Sequence, residues 1–179
     1  AVSLPVFGKL ADLFSLKTMF LISICVFLIG SVWAGLCRTM VSLILSRAVQ
    51  GLGAGGNFAL VYIVLSDIST PQQRGKMMSM ASFVWGVASV LGPSIGGFIV
   101  TYFSWRWIFF INLPLGAFSL AGIYFYFSET RPGRKAVSVD VAGILLLTAT
   151  VLSLLTAFLL VGEGRRWLAP EIAALFAVS

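Results

Sequence analysis

The chain contains no histidine, only six acidic residues and only two cysteines in 179 positions. Each scarcity excludes something. Hydrolytic or metal-assisted chemistry needs a nucleophile with a base, or a set of metal ligands, gathered in one place. With no histidine and no close carboxylate pair inside an apolar run, no such set is visible, so the expectation is no enzyme, no cofactor and no metal. Cys25 lies within an apolar run and Cys37 near its outer end, too far apart on one helix to be bridged, so packing is their expected role. Charged residues make up 10% of the chain, and no basic stripe with interleaved aromatics stands in a polar segment. Despite a net charge of +6 and a pI near 9.8, a nucleic-acid partner is not expected.

What the chain has instead is apolar length. Hydrophobic residues account for 59%, and the mean hydropathy of +1.03 lies far from that of a soluble domain. Five runs, Thr18 to Leu36, Val41 to Leu65, Met77 to Tyr102, Trp107 to Phe127 and Val141 to Val161, are each long enough to cross a core of about 30 Å at about 1.5 Å per residue. The fold class expected is all-α, a polytopic helical membrane protein. Ala1 to Phe7 and Leu168 to Ser179 are apolar but too short to cross, and the first residue is not methionine, so the sequence is expected to be an internal fragment of a longer chain.

Basic residues alternate between loops. Lys9 and Lys17, then Arg74 and Lys76, then Arg131, Arg134 and Lys135 form the richer set, which is expected on the cytoplasmic side. Trp105, Trp107 and Trp167 sit at span ends on the opposite side, where an interfacial aromatic belt belongs. The longest polar segment, 128–140 (SETRPGRKAVSVD), carries helix-breaking Pro132 and Gly133 and is the best boundary. It divides an N-terminal bundle, 1–127, from further spans in 141–179.

The segment SRAVQGLGAGGNF, from Ser46 to Phe58, places a charge inside a span. Arg47 lies roughly 9 Å outward of the span's middle, so it does not snorkel comfortably if it faces inward. A buried arginine costs at least about 2.5 to 3.5 kcal/mol on insertion scales and needs a partner, a carbonyl cluster or a water-filled cavity. Two readings are open: a structural arginine held by backbone carbonyls, or a residue of a cavity or pathway. Helical spacing puts Gln50 beside Arg47 and brings Asn57 to the same face as Gln50. Gly51 and Gly55 form a GxxxG, and Gly53 and Gly56 thin the helix further, so another helix or a ligand can approach its backbone closely. In WGVASVLGPSIGG, Gly86, Ser89, Gly92, Gly96 and Gly97 repeat near helical spacing, and Pro93 removes a backbone donor and bends the span. In the tight loop FGKLADLFSLK, Asp12 can cap the helix that follows.

Together these elements resemble the major facilitator superfamily. Gly8, Leu10, Ala11, Asp12 and Lys17 match its loop motif between the second and third spans, with Leu13, Ser15 and Leu16 where Arg, Gly and Arg are common. Leu43, Arg47, Gln50 and Gly51 match the fourth-span motif, and Gly92, Pro93, Gly96 and Gly97 the fifth-span motif of antiporters, with Ser79 and Ala88 where its fuller form has glycines. The segment WRWIFFINLPLG and the span after Asp140 look like the fourteen-span drug:proton antiporter branch.

The resemblance implies alternating access in a multi-pass protein of the inner (plasma) membrane, with export of small amphipathic or drug-like molecules against protons. A nutrient or metabolite symporter or uniporter, or a non-transporting sensor on the same fold, is the alternative. It implies proton coupling through Arg47 and Gln50, where a fixed positive charge favours the ionised form of a nearby carboxyl. Asp12, Asp67, Glu129, Asp140, Glu163 and Glu171 all fall in loops or at span ends, so that carboxyl is expected on a first span not included here. Gating is implied at Gly8, Asp12, Lys17, Asp67 and Arg74, and helix packing at Gly51, Gly92, Pro93, Gly96 and Gly97. Asn57 and Asn112 are the candidate cavity-lining residues. Expected partners are a small-molecule substrate, protons, the lipid bilayer and a periplasmic adaptor.

Overall fold

A computed structural model describes Phe7, Gly8, Leu10 and residues 14–128 and 141–162. In order these form α1 (Leu16–Leu36), α2 (Met40–Ile68), α3 (Arg74–Tyr102), the short α4 (Trp107–Phe110), α5 (Asn112–Tyr126) and α6 (Val141–Gly162). Five helical stretches are long and apolar enough to cross a membrane, with α4 and α5 together counting as one. In hydrocarbon each backbone N–H and C=O must be satisfied within its own segment, and an unbroken helix does this.

Local chemistry sets the boundaries. Ser15 caps α1, its Oγ accepting from Thr18 N at 3.4 Å. The cap expected from Asp12 is thus supplied by Ser15, the residue directly before the first turn, while Asp12 itself lies outside the described residues. Thr39 caps α2 by accepting from Ser42 N at 3.2 Å. The short link Cys37–Thr39 then forces α1 and α2 to run antiparallel as neighbours. Helix α3 continues through Pro93. The fourth span stays helical between α4 and α5: Ile111 has φ −61° and ψ −25° and its N–H donates to Trp107 O at 3.0 Å, while Pro114 has no N–H to return to Phe110 C=O, so one rung of the ladder is missing there.

The core sits where α1 meets α2. A Cβ placed on Gly30 would lie 2.6 Å from Gln50 N, and one on Gly53 would lie 2.4 Å from Phe27 N, so the two backbones are in contact at reciprocal glycines. Below this crossing Leu16, Met19 and Leu60 form a buried cluster, with Phe20, Ile63 and Phe127 packed against it. Helix α1 also carries α4 and α5: the Phe110 ring covers Gly35, and the Leu28 side chain covers Gly116. Helix α3 touches α2 and α4 only lightly and buries no residue. Helix α6 has no extensive contact with the other described helices.

Both ends of α1 are clasped. Lys17 Nζ donates to Tyr124 O at 2.8 Å and lies 5.5 Å from the Tyr124 ring centroid, tying α1 to the end of α5. At the opposite end Arg106 Nη2 donates to Cys37 O at 3.2 Å, with its guanidinium 4.6 Å from the Trp105 ring. Hydroxyls inside the spans mostly return to their own helix, as Ser46 does to Leu43 O at 2.8 Å and Ser89 to Trp85 O at 2.9 Å.

Candidate functional site: a polar seam between three helices

At about 1.5 Å per residue, Arg47 lies about 10 Å along α2 from Met40, well inside the apolar span. Its Nη1 donates to Gln50 Oε1 at 3.0 Å, one helical turn on. Its guanidinium carbon stands 4.6 Å from the Phe109 ring, a cation–π contact that offsets part of the desolvation. The Arg47 guanidinium donates to no backbone carbonyl among the described residues. Its other side is exposed.

Gln50 is buried and turns toward α1, where its Nε2 donates to Ser31 Oγ at 2.5 Å. Ser31 Oγ also accepts from Asn112 Nδ2 at 3.3 Å. Arg47, Gln50, Ser31 and Asn112 thus make one hydrogen-bonded seam across α2, α1 and the first turn of α5. Asn112 reaches it because α4 and α5 pack against α1 and it stands three residues beyond Phe109, so the ring and the amide address the same region. Two turns further along α2, Ser23 Oγ donates to Asn57 Oδ1 at 2.5 Å.

The seam borders two concavities. A cleft of about 500 Å³ is lined by apolar side chains, among them Phe20, Phe27 and Phe118, with Asn57 and Asn112 as its amide groups. A groove of about 600 Å³ runs between α3 and the fourth span, lined by Phe83, Leu91, Gly92, Gly96, Ile108 and again Asn112. Among the described residues no charged side chain lines either one.

Of the residues singled out from the sequence, Arg47, Gln50 and Asn112 are therefore brought together, and Asn57 shares the cleft with Asn112. Gly51 lies beside them, but a Cβ there would meet nothing within 4 Å; the glycines that admit α1 are Gly53 and Gly30. Gly92, Gly96 and Gly97 likewise face open space, and Pro93 is exposed. Lys17 sits at the far end of the bundle on Tyr124. Asp67 is half-buried in the last turn of α2, Arg74 begins α3 exposed, and Gly8 meets nothing within 4 Å. Ser31, Ser23 and Phe109 did not emerge from the sequence. The available signal was the small-residue row Gly30, Ser31, Ala34, Gly35 in α1, which repeats at helical spacing. No group of three metal-binding side chains occurs among the described residues.

Several apolar spans joined by short turns and a charged seam inside the spanning region define a polytopic helical membrane protein. The chain belongs to the Major Facilitator Superfamily, whose family model matches residues 1–178. It is 39% identical over 175 residues to Multidrug resistance protein 3 of Bacillus subtilis, covering 98% of this chain and 34% of that protein. It is 34% identical to Multidrug transporter protein MdtP of the same organism, covering 98% of this chain and 32% of that one. With Efflux pump FUS6 of Gibberella moniliformis it shares 32% identity over 92% of this chain and 30% of the pump. The chain therefore spans about a third of the length of these relatives.

Proposed function

We propose that this chain is part of a secondary transporter that exports small amphipathic or drug-like molecules in exchange for protons by alternating access. The observation that carries the reading is the seam itself: an intramembrane arginine hydrogen-bonded, through Gln50 and Ser31, to an asparagine that lines an apolar cleft. The multidrug and efflux relatives support the export direction and the substrate class. In this reading Arg47 holds a fixed positive charge whose exposed side faces a carboxyl on another span, favours its ionised form and so helps release its proton. Gln50 orients the guanidinium. Asn57 and Asn112 supply polar contacts in a cleft whose aromatic lining suits an apolar body.

The remaining assignments belong to the same proposal. Gly8, Asp12, Lys17, Asp67 and Arg74 serve gating at the cytoplasmic ends. Gly51, Gly92, Pro93, Gly96 and Gly97 serve close approach of helices in the whole transporter, which is of the fourteen-span branch, lies in the plasma (inner) membrane and works with a periplasmic adaptor.

The test uses the full-length parent in proteoliposomes, with efflux of ethidium, rhodamine 6G and tetraphenylphosphonium against an imposed pH gradient, normalised to folded protein. A hydrogen bond to a charged group is worth about 1.5–3 kcal/mol, so Arg47→Ala and Arg47→Gln should lower gradient-driven efflux about tenfold or more. They should still insert and still exchange substrate without a gradient. Normal gradient-driven rates in Arg47→Ala would leave the charge as a structural anchor. Loss of insertion in Arg47→Lys, which keeps charge but not the planar fork, would point the same way.

A further inference from the structure

Ser31 is fully buried, and its Oγ accepts from two helices at once: from Gln50 Nε2 of α2 at 2.5 Å and from Asn112 Nδ2 of α5 at 3.3 Å. A serine oxygen has two acceptor lone pairs, and both are engaged. Arg47 fixes the polarity of the Gln50 amide: a guanidinium has only donors, its Nη1 donates to Gln50 Oε1 at 3.0 Å, and a flipped amide would set an N–H against it. With its oxygen committed to Arg47, the Gln50 nitrogen turns to Ser31, whose oxygen receives it. The geometry is held from below by Gly30, which brings the α1 backbone into contact with the backbone of Gln50 itself. On the far side Asn112 borders both the cleft and the α3 groove, and its Oδ1 has no hydrogen-bond partner among the described residues.

We propose that Ser31 is a positioning residue that couples Arg47 to the loading of the cleft. A ligand that hydrogen-bonds Asn112 from the cleft competes for its amide, changes the load on the Ser31 oxygen and so changes the hold on Gln50, whose oxygen orients Arg47. The message crosses from cleft to arginine through two side chains, with no displacement of the helices required. The inference rests on the reading of Arg47 as the proton-coupling residue.

The experiment compares Ser31→Ala, Ser31→Cys and Arg47→Ala in the reconstituted full-length transporter, with ethidium, rhodamine 6G and tetraphenylphosphonium as probes. Gradient-driven efflux and gradient-free exchange are both measured per folded protein, across a pH series. Ser31→Ala should lower gradient-driven efflux about five- to tenfold, in the usual range of coupling between sites, while exchange is kept and the pH profile of efflux is displaced. Ser31→Cys, close in size but a weak acceptor, should behave alike and stands in if the alanine variant does not fold. Asn112→Leu, which also removes a polar contact from the cleft, should lower gradient-driven efflux and exchange alike, and adding Ser31→Ala to it should produce little further loss of gradient-driven efflux. A proportional fall of efflux and exchange at an unchanged pH profile would make Ser31 merely structural and overturn the inference. If Arg47→Ala uncouples while Ser31→Ala does not, the inference fails and the proton reading stands. If neither uncouples, or no probe is exported by the unmodified protein, both fail.

Discussion

Two glycines carry the sharpest constraint at the level of single residues. Gly30 and Gly53 face backbone rather than the tips of side chains, at 2.6 and 2.4 Å from where a Cβ would stand, so a substituent there has nothing flexible to push aside. Gly53→Val should therefore separate α1 from α2 and lower the thermal unfolding midpoint of the detergent-solubilised full-length protein, with overpacking costing about 1–3 kcal/mol or more. Gly51→Ala, two positions away with open space around it, should leave that midpoint unchanged. The same crossing explains why Gln50 reaches Ser31 so closely: the backbone contact beneath them sets the depth at which the two side chains meet. Arg47 was recognisable as an anomaly from its position alone. Its companions were not, because Ser31 and Phe109 are individually ordinary residues of apolar spans.

At the level of elements, the helices followed from apolar length, and their ends moved by only a few residues. Helix α2 extends to Ile68 and α3 begins at Arg74, beyond the purely apolar windows, because polar residues at an interface continue a helix as readily as they end it. Pro114 removes one rung near the start of the fourth span without ending it, since the backbone at Ile111 stays helical. Helix α3 presents its glycine row to open space, and Phe98 on the same helix is exposed. If that row admits another helix in the whole transporter, Gly96→Leu should impair efflux severalfold by overpacking, an effect of about 1–3 kcal/mol, while Phe98→Leu remains mild. Equal tolerance at both positions, measured as efflux per folded protein, would make the row incidental.

For the molecule as a whole, the arrangement of charge sets the expected orientation. Lys17 and Tyr124 meet at one end of the bundle, Arg106 and Cys37 at the other, so α1 and the fourth span run antiparallel and alternate loops share a side. With the richer basic loops in the cytoplasm, single cysteines at Gln73 and Gly133 should resist a membrane-impermeant thiol reagent in intact cells, and one at Ser104 should react. The reverse pattern would invert the topology. The exposed apolar surface of α3 and α6 suits a bilayer or further helices, in keeping with relatives about three times the length of this chain.

The sequence by itself determined the membrane-spanning character, the five spans among the described residues, their limits to within a turn, and the position of the unusual charge. These follow from composition and one-dimensional periodicity, which a lipid solvent enforces strictly because unsatisfied backbone is so costly there. Only the tertiary structure decided what the charge touches. Gln50 could have faced lipid, cavity or helix. The backbone contact at Gly30 and Gly53 and the packing of the fourth span on α1 at Gly35 and Gly116 bring three separate spans to one point, and no spacing along a single helix encodes which small residue of another will be waiting there.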